Sequence, residues 1–347
     1  MMPANKRLFY DISKEDLDVL IQGWGEPPYR AEQIWSGVYK QLHAAPNEIS
    51  NISKVLQLKI SDAFSFQYLE KVTELASSDQ QTTKTLFRLH DGELIETVLM
   101  KYDKRRTLCI STQAGCAMGC VFCATGQMGF KRNLTHGEII EQVLYFARKL
   151  KAIDDKITNI VVMGMGEPFH NYDATMAAID LLNHKEGFNF GARRFTISTV
   201  GLIPAIKRFT KEKRQVNLAI SLHSTIDDVR SAMLPINHKY PTKELLQVCK
   251  EYVQETGRRI TFEWALIQDT NDSEEEAHSL GRAIKGINCH VNVIPLNPTE
   301  GYEGKRSTRD SIQTFQEILS TYGIPCTVRI RRGIDIDAGC GQLAIKN

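Results

Sequence analysis

Residues 106–123 read Arg106-Thr107-Leu108-Cys109-Ile110-Ser111-Thr112-Gln113-Ala114-Gly115-Cys116-Ala117-Met118-Gly119-Cys120-Val121-Phe122-Cys123. An alternating apolar run opens the stretch, as in a strand, and leads directly into a loop carrying three cysteines spaced Cys-x3-Cys-x2-Cys. From here on, strand and helix patterns alternate. Strands are predicted at 106–111, 157–163, 194–198, 215–221, 259–267, 290–294 and 326–330, and helices at 135–150, 172–183, 202–209, 242–256, 273–285 and 309–322. That alternation belongs to a parallel α/β core. About six βα units fall short of the eight that close a full barrel. The expected fold class is therefore α/β, a partial (βα)6 TIM-like barrel whose lateral mouth would admit a macromolecule.

The spacing of the cysteines sets the chemistry. A [4Fe–4S] cluster normally takes four thiolates. Cys116, Cys120 and Cys123 would hold three irons and leave the fourth open. An open iron can be chelated by the amino and carboxylate groups of S-adenosylmethionine (SAM). An electron passed into the sulfonium then breaks a carbon–sulfur bond and yields a 5′-deoxyadenosyl radical. The competing reading is a structural zinc site, but zinc prefers paired Cys or Cys/His knuckles with a closed fourth position.

Composition sets outer bounds. The chain has 347 residues, 42% hydrophobic and 24% charged, with a net charge of +2, as expected of a globular protein with a sizeable core. No apolar run approaches the roughly 20 residues of a membrane span. The start, Met1-Met2-Pro3-Ala4-Asn5-Lys6-Arg7, has no apolar signal core. A cytoplasmic location is expected. Four of the eight cysteines fall between Cys109 and Cys123, which favours metal or redox chemistry in a reducing compartment over a disulfide scaffold. Basic residues recur in short clusters, among them Lys104-Arg105-Arg106, Arg193-Arg194, Arg258-Arg259 and Arg329 with Arg331-Arg332. Sharing one face, they would form a phosphate-binding footprint; taken singly, each reads equally well as solvated surface.

Three regions are expected. Residues 1–66 read as a helical accessory domain, with Ser13 and Asp16 as a cap and Ala31, Ile34, Trp35, Val38, Tyr39 and Leu42 as an amphipathic stripe. Residues 67–101 read as a β-hairpin extension turning at Asp91-Gly92, with the polar stretch 77–83 as a loop. Residues 102–347 form the core and end in a tail around Cys340.

Ligands in parallel α/β folds bind at the carboxyl ends of strands. Those ends carry the cysteine loop, Met163-Gly164-Met165-Gly166-Glu167-Pro168, Ser198-Thr199, Ser221-Leu222-His223 and Pro295-Leu296-Asn297. Glu167 could accept a bond from the ammonium of SAM, Ser198 could bind ribose or carboxylate, and the Asn297 amide could read adenine or ribose. Two further thiols stand out. Cys109 precedes the cluster loop, and Cys340 lies between Gly339 and Gly341. Either both are incidental, or they form a nucleophile and a resolving thiol brought together by a mobile segment. Cys249, Cys289 and Cys326 read as structural.

The segment 108–134, Gly164 to Pro168, Ser221 to His223, Cys340-Gly341-Gln342-Leu343 and the N-terminal Tyr29-Arg30-Ala31-Glu32-Gln33-Ile34-Trp35 together resemble the RlmN/Cfr family of radical-SAM RNA methyltransferases, over essentially the whole chain. The resemblance implies a two-stage methyl transfer to adenine that uses two SAM per turnover and a [4Fe–4S] cluster. It makes Cys340 the thiol that first receives a methyl group, Glu96 (in Ile95-Glu96-Thr97-Val98) the acceptor of the ring proton, and Cys109 the thiol that attacks Cys340 sulfur and leaves a disulfide. By its own pattern alone, Glu96 would be an exposed strand carboxylate. Cofactor contacts carry over to Gly166, Glu167, Ser198, Ser221, Leu222, His223 and Asn297.

The implied substrates are an adenosine of 23S rRNA and the adenosine after the anticodon of tRNA, methylated at C2. The expected partners are an electron donor such as flavodoxin and its reductase, with the protein acting as a monomer. Two features depart from the family pattern: Ala338-Gly339-Cys340 replaces Ala-Ala-Cys, and Cys123-Ala124-Thr125-Gly126 leans towards the Cfr branch, which modifies C8 and confers antibiotic resistance. A metal-stabilised RNA-binding protein without catalysis is the alternative from another class, and it would have no use for Cys340.

Overall fold

The computed structural model describes residues 6–343; most of the polar start and the last four residues lie outside them. The N-terminal part runs β1 (Arg7–Leu8), α1 (Lys14–Gly23), α2 (Tyr29–Tyr39), α3 (Lys54–Ala63) and β2 (Phe64–Ser65). Next come β3 (Glu70–Ala76), β4 (Thr82–Arg88), β5 (Leu94–Lys101), β6 (Arg106–Cys109), β7 (Gln113–Gly115), α4 (Ala124–Gln127) and β8 (Phe130–Asn133). The remainder alternates: α5 (His136–Lys151), β9 (Asn159–Val162), α6 (Tyr172–Asn183), β10 (Phe195–Thr199), α7 (Ile203–Lys211), β11 (Asn217–Ser221), α8 (Asp227–Met233) and α9 (Thr242–Thr256). It closes with β12 (Ile260–Leu266), α10 (Glu274–Ile284), β13 (Cys289–Pro295), α11 (Arg309–Thr321) and β14 (Cys326–Val328).

One sheet of ten strands, ordered β14-β13-β12-β11-β10-β9-β6-β5-β4-β3, holds the molecule together. From β14 to β6 every pair is parallel, and β6, β5, β4 and β3 are antiparallel to their neighbours. β3 and β14 end the sheet without pairing to each other, so the barrel is open. The inner strands are short and rich in β-branched and aromatic residues. Ile160, Phe195, Ile197, Ile220, Phe262, Trp264, Val291 and Val293 are all fully buried, as strands covered on both faces require.

The N-terminal helices pack on α5. Trp35, Val38 and Tyr39 of the α2 stripe are buried. Asp11 accepts bonds from the Gly137 amide at 2.7 Å and the Thr135 hydroxyl at 3.1 Å, and so secures the start of α5. At the other end Arg148 donates to the Leu42 carbonyl and the Tyr10 hydroxyl. The α5 helix itself opens with a complete capping box, Thr135 with Glu138.

The structure adds three features to the reading. β3 is an extra strand, exposed throughout, so it carries no alternation to read. β4 starts inside the polar stretch taken as a loop. The cysteine loop is flanked by the small antiparallel pair β7–β8. Among the described residues no helix is long and apolar enough to cross a membrane.

Candidate active site

A cavity of about 180 Å³ opens at the carboxyl ends of the parallel strands. Cys120 and Cys123 line it from the cysteine loop, Gly166 and Glu167 follow β9, Ser198 and Ser221 come from β10 and β11, and Asn297 follows β13. The C-terminal segment Ala338 to Gly341 forms another wall, with Cys109 of β6 also facing the space. Cys340 is accessible from the cavity although protein surrounds it. Thiols from distant parts of the chain therefore meet in one enclosure, both unpaired. Burial, reinforced by neighbouring Cys340, pushes the Cys109 thiol up to about 12 against the pull of Arg329. Burial raises Cys340 as well, again against the pull of Arg329.

Several hydrogen bonds secure the tail in this position. Gly341 carbonyl accepts from Ala124 N–H at 2.8 Å, and the Leu343 carbonyl accepts from the Thr125 hydroxyl at 2.7 Å. Both donors belong to α4, which leaves the cysteine loop. Asn297 donates to the Cys340 carbonyl at 3.0 Å, and Gln342 donates to the Pro298 carbonyl at 3.1 Å. The glycine before Cys340 has a local cause: a Cβ at Gly339 would lie 2.5 Å from Gln342 Oε1 and 2.7 Å from Asn297 Nδ2.

The three loop cysteines lie close enough to act on one another electrostatically, and burial raises all three thiols. Backbone N–H groups of Thr125 and Gly126 point at Cys123 sulfur, and that of Met118 at Cys116 sulfur; both favour the thiolate. Buried thiols with no cation nearby keep their protons, whereas bound iron deprotonates them. Among the described residues no three His, Cys, Asp or Glu side chains are arranged to hold a single metal ion. Three thiols on one loop suit a polynuclear cluster, in which each thiolate takes its own iron. Cys116 does not itself line the cavity, which leaves Cys120 and Cys123 on its wall.

The strand-end residues divide into those with free polar atoms and those already committed. Ser198 and Ser221 hydroxyls face each other at 3.1 Å across the cavity wall. Glu167 is buried, its Oε1 taking the Phe169 N–H and its Oε2 the Val200 N–H, each at 2.9 Å. Burial pushes this carboxyl up to about 7 against those donors. Its remaining lone pairs are what a ligand could use. Gly166 precedes it with φ +100°, and a Cβ there would meet the Gln113 side chain at 2.5 Å. Gln113 in turn accepts from Glu167 N–H at 2.8 Å. Leu222 is fully buried and outside the cavity lining. Asn297, read as a ligand amide, is occupied by the tail and by Arg331 Nε at 2.9 Å.

His223 takes a left-handed backbone (φ 61°), and its Nδ1 accepts the Ala265 N–H at 2.8 Å. Burial, helped by Arg230, drives its pKa down to about 3, so the ring is neutral with the proton on Nε2. Phe122 meets this ring edge-on at 5.0 Å.

Glu96 is buried on β5, two and four residues from the cavity-lining Val98 and Met100, and so on the same strand face. Its Oε1 pairs with Lys84 Nζ at 3.0 Å. Exposure, which its own pattern suggested, is thereby corrected: Glu96 is buried beside Lys84 of β4. Two further residues escaped the sequence reading. Arg230 is fully buried and donates to the carbonyls of Val200, Ser221 and Leu222 and to Asn237 Oδ1. Glu263 lines the cavity and accepts from Asn292 Nδ2 at 2.7 Å. A lone arginine in a helix and a glutamate inside a strand give no sequence signal of such roles.

Comparison with known proteins agrees with this geometry. Residues 110–280 match the family model of the radical SAM superfamily, and residues 9–65 match that of the ribosomal RNA large subunit methyltransferase N-terminal domain. The chain is 48% identical over 334 residues to the dual-specificity RNA methyltransferase RlmN 1 of Myxococcus xanthus, covering 96% of this chain and 93% of that protein. It is 45% identical to a probable dual-specificity RNA methyltransferase RlmN of Dictyoglomus turgidum, covering 98% and 96%. The crystal structure of a radical SAM methyltransferase from Sphaerobacter thermophilus superposes with a TM-score of 0.95 at 48% identity, over 97% of this chain and 99% of the other.

Proposed function

Since this chain belongs to the RlmN family of radical SAM RNA methyltransferases, we infer that it methylates C2 of adenosine in 23S rRNA and in tRNA. The cofactors are a [4Fe–4S] cluster and SAM, which together supply a carbon-centred radical able to abstract hydrogen. Cys116, Cys120 and Cys123 hold three irons of that cluster. Gly166, Glu167, Ser198, Ser221, His223, the Leu222 backbone and Asn297 surround the cofactor's place at the strand ends.

The remaining residues carry the methyl group and the protons. Cys340 bears the methyl as a thioether; after losing one hydrogen atom, its methylene carbon bonds C2 and so bridges ring and sulfur, and the adduct gives up one electron. Glu96 takes the ring proton. Cys109 then attacks the Cys340 sulfur, the pair of the broken sulfur–methylene bond stays on carbon, which takes a proton to become the methyl group, and a Cys109–Cys340 disulfide remains for an external thiol to reduce. The observation that carries this reading is the meeting of the Cys109 and Cys340 thiols in one cavity beside Cys120 and Cys123.

RNA suits the entrance. Arg329, Arg331 and Arg332 line the cavity, and the guanidiniums of Arg105 and Arg332 lie 4.9 Å and 4.4 Å from the Tyr102 ring centroid. Such a pairing of cations and an aromatic face grips phosphate and stacks on unpaired bases. Residues 1–66 act as an accessory RNA-docking unit, 67–101 as an extension of the core sheet, and 102–347 as the catalytic core. The protein works as a monomer in the cytoplasm, where its eight unpaired thiols are at home, with a flavodoxin-type donor. Nucleoside mass spectrometry of large-subunit RNA incubated with the reduced, SAM-supplied protein tests the reading. The expected product is 2-methyladenosine. 8-Methyladenosine would move the protein to the Cfr-type reaction, and no methyladenosine would refute the assignment.

A further inference from the structure

Lys84 sits in the middle of β4 and is buried, a rare position for a lysine unless it is paired. In the register of the sheet Lys84 faces Val98, and Leu86 faces Glu96. Lys84 and Glu96 are therefore diagonal neighbours on one face, within reach of long side chains. The ammonium lies 3.0 Å from Glu96 Oε1 and 3.3 Å from the backbone carbonyl of Asp337. Asp337 is three residues before Cys340 and holds a left-handed backbone (φ 51°).

The start of this strand and the loop before it dock the rest of the turn. Ser78 N–H donates to Asp335 Oδ2 at 2.7 Å. Gly333 lies so close to Thr82 that a Cβ there would come within 2.7 Å of its methyl group. Beneath them the Ser111 hydroxyl donates to the Glu96 carbonyl at 2.6 Å, and the Glu96 amide donates to the Met165 sulfur at 3.3 Å, which fixes the backbone of β5. One ammonium thus joins the carboxylate on β5 to the turn that carries the tail thiol.

We propose that Lys84 is a positioning residue for the second stage of the reaction, tying the Glu96 carboxylate and the turn before Cys340 to one point so that acceptor and methyl-bearing sulfur approach the adenine ring in register. The proposal rests on the reading of Glu96 as the proton acceptor. Methylation of Cys340, the first stage, does not call on Glu96, and without the Lys84 bond the tail keeps its anchors on Asn297, Ala124 and Thr125.

The test compares K84M, K84R and E96Q in cluster-loaded protein. Peptide mass spectrometry reads the methyl on Cys340, and single turnover with a large-subunit ribosomal RNA fragment reads methyladenosine. In K84M, methylated Cys340 is expected at the wild-type level, while turnover at saturating RNA falls roughly 100-fold with KM unchanged, the scale of a disabled acid–base group. K84R, which keeps the charge, is expected to regain a large part of the rate. K84Q, which keeps donors without the charge, carries the K84M expectation should K84M not fold. Wild-type turnover in K84M beside an inactive E96Q would overturn the proposal. So would a K84M protein that loses Cys340 methylation along with turnover, since that is the mark of a purely structural lysine. An active E96Q would instead refute the reading of Glu96 on which the proposal stands.

Discussion

Asn297 Nδ2 donates to the backbone carbonyl of Cys340 at 3.0 Å, while Asn297 Oδ1 accepts from Arg331 Nε at 2.9 Å. The strand end after β13 thereby clasps the tail that the α4 helix holds from the other side. The docked tail is what places the Cys340 thiol in the cavity, held by single hydrogen bonds together with the buried Ala338 and Leu343 on either side.

Asn297→Ala is expected to weaken this clasp. A net hydrogen bond contributes about 1 kcal/mol, so the docked fraction and single-turnover rate should fall roughly fivefold to tenfold. Iron content should stay at the wild-type level, because Asn297 is distant in sequence from the cysteine loop. Iron assay and single-turnover kinetics on one preparation separate the two effects.

Ala at Cys116, Cys120 or Cys123 removes one of three tethers. Anaerobically reconstituted wild-type protein should contain about four irons per chain and be brown, as a cubane cluster requires. Each variant should lose most of the iron and all deoxyadenosine formation from SAM. Stoichiometric zinc that survives in the place of iron would contradict the account.

Much of this architecture is legible in the sequence, and the limits have physical causes. The α/β alternation, the α5 capping box and the α2 stripe are local patterns, and local physics produces them. Cys116, Cys120 and Cys123 are close in sequence, so their loop announces itself. Glu96 does not announce its burial, because that comes from strand pairing and the ion pair with Lys84. Lys84 is equally silent, since its partner at Asp337 is 253 residues distant. Asn297 was legible as a cavity residue but not as a tail anchor, since the bond to Cys340 is tertiary. β3 was missed because all its residues are exposed, leaving no contrast between faces.

Arg230 makes a sharper stability prediction. Its guanidinium satisfies carbonyls at the ends of β10 and β11 and the Asn237 side chain. Arg230→Met would strip a donor from each, leaving the Leu222 carbonyl with the Ser224 N–H and Asn237 Oδ1 with only the Thr242 hydroxyl at 3.4 Å, at a cost of about 1–3 kcal/mol for each group left unsatisfied. The variant should melt well below the wild type in the absence of cofactors, and an unchanged Tm would show that the network is dispensable.

His223 should remain neutral throughout the physiological range. Its pKa is driven down to about 3 by burial and then by Arg230. A base whose pKa is lowered loses its charge at lower pH, so between pH 5 and 8 no titration is expected, around an ordinary histidine value of about 6.5. Nitrogen-15 chemical shifts of the labelled ring should show a neutral, Nε2-protonated tautomer across that interval. A midpoint near 6.5 would show that the ring is more open to solvent than its bond to Ala265 N–H implies.

The most direct measurement follows the methyl group itself. Protein assembled with its cluster and supplied with SAM carrying a deuterated methyl should yield a C-terminal peptide in which Cys340 bears that label before any RNA is added. On adding RNA, the label should leave the peptide and appear in methyladenosine, with a Cys109–Cys340 disulfide left behind. Deuterated methyladenosine formed while Cys340 stays unlabelled at every time point would contradict the role assigned to the tail.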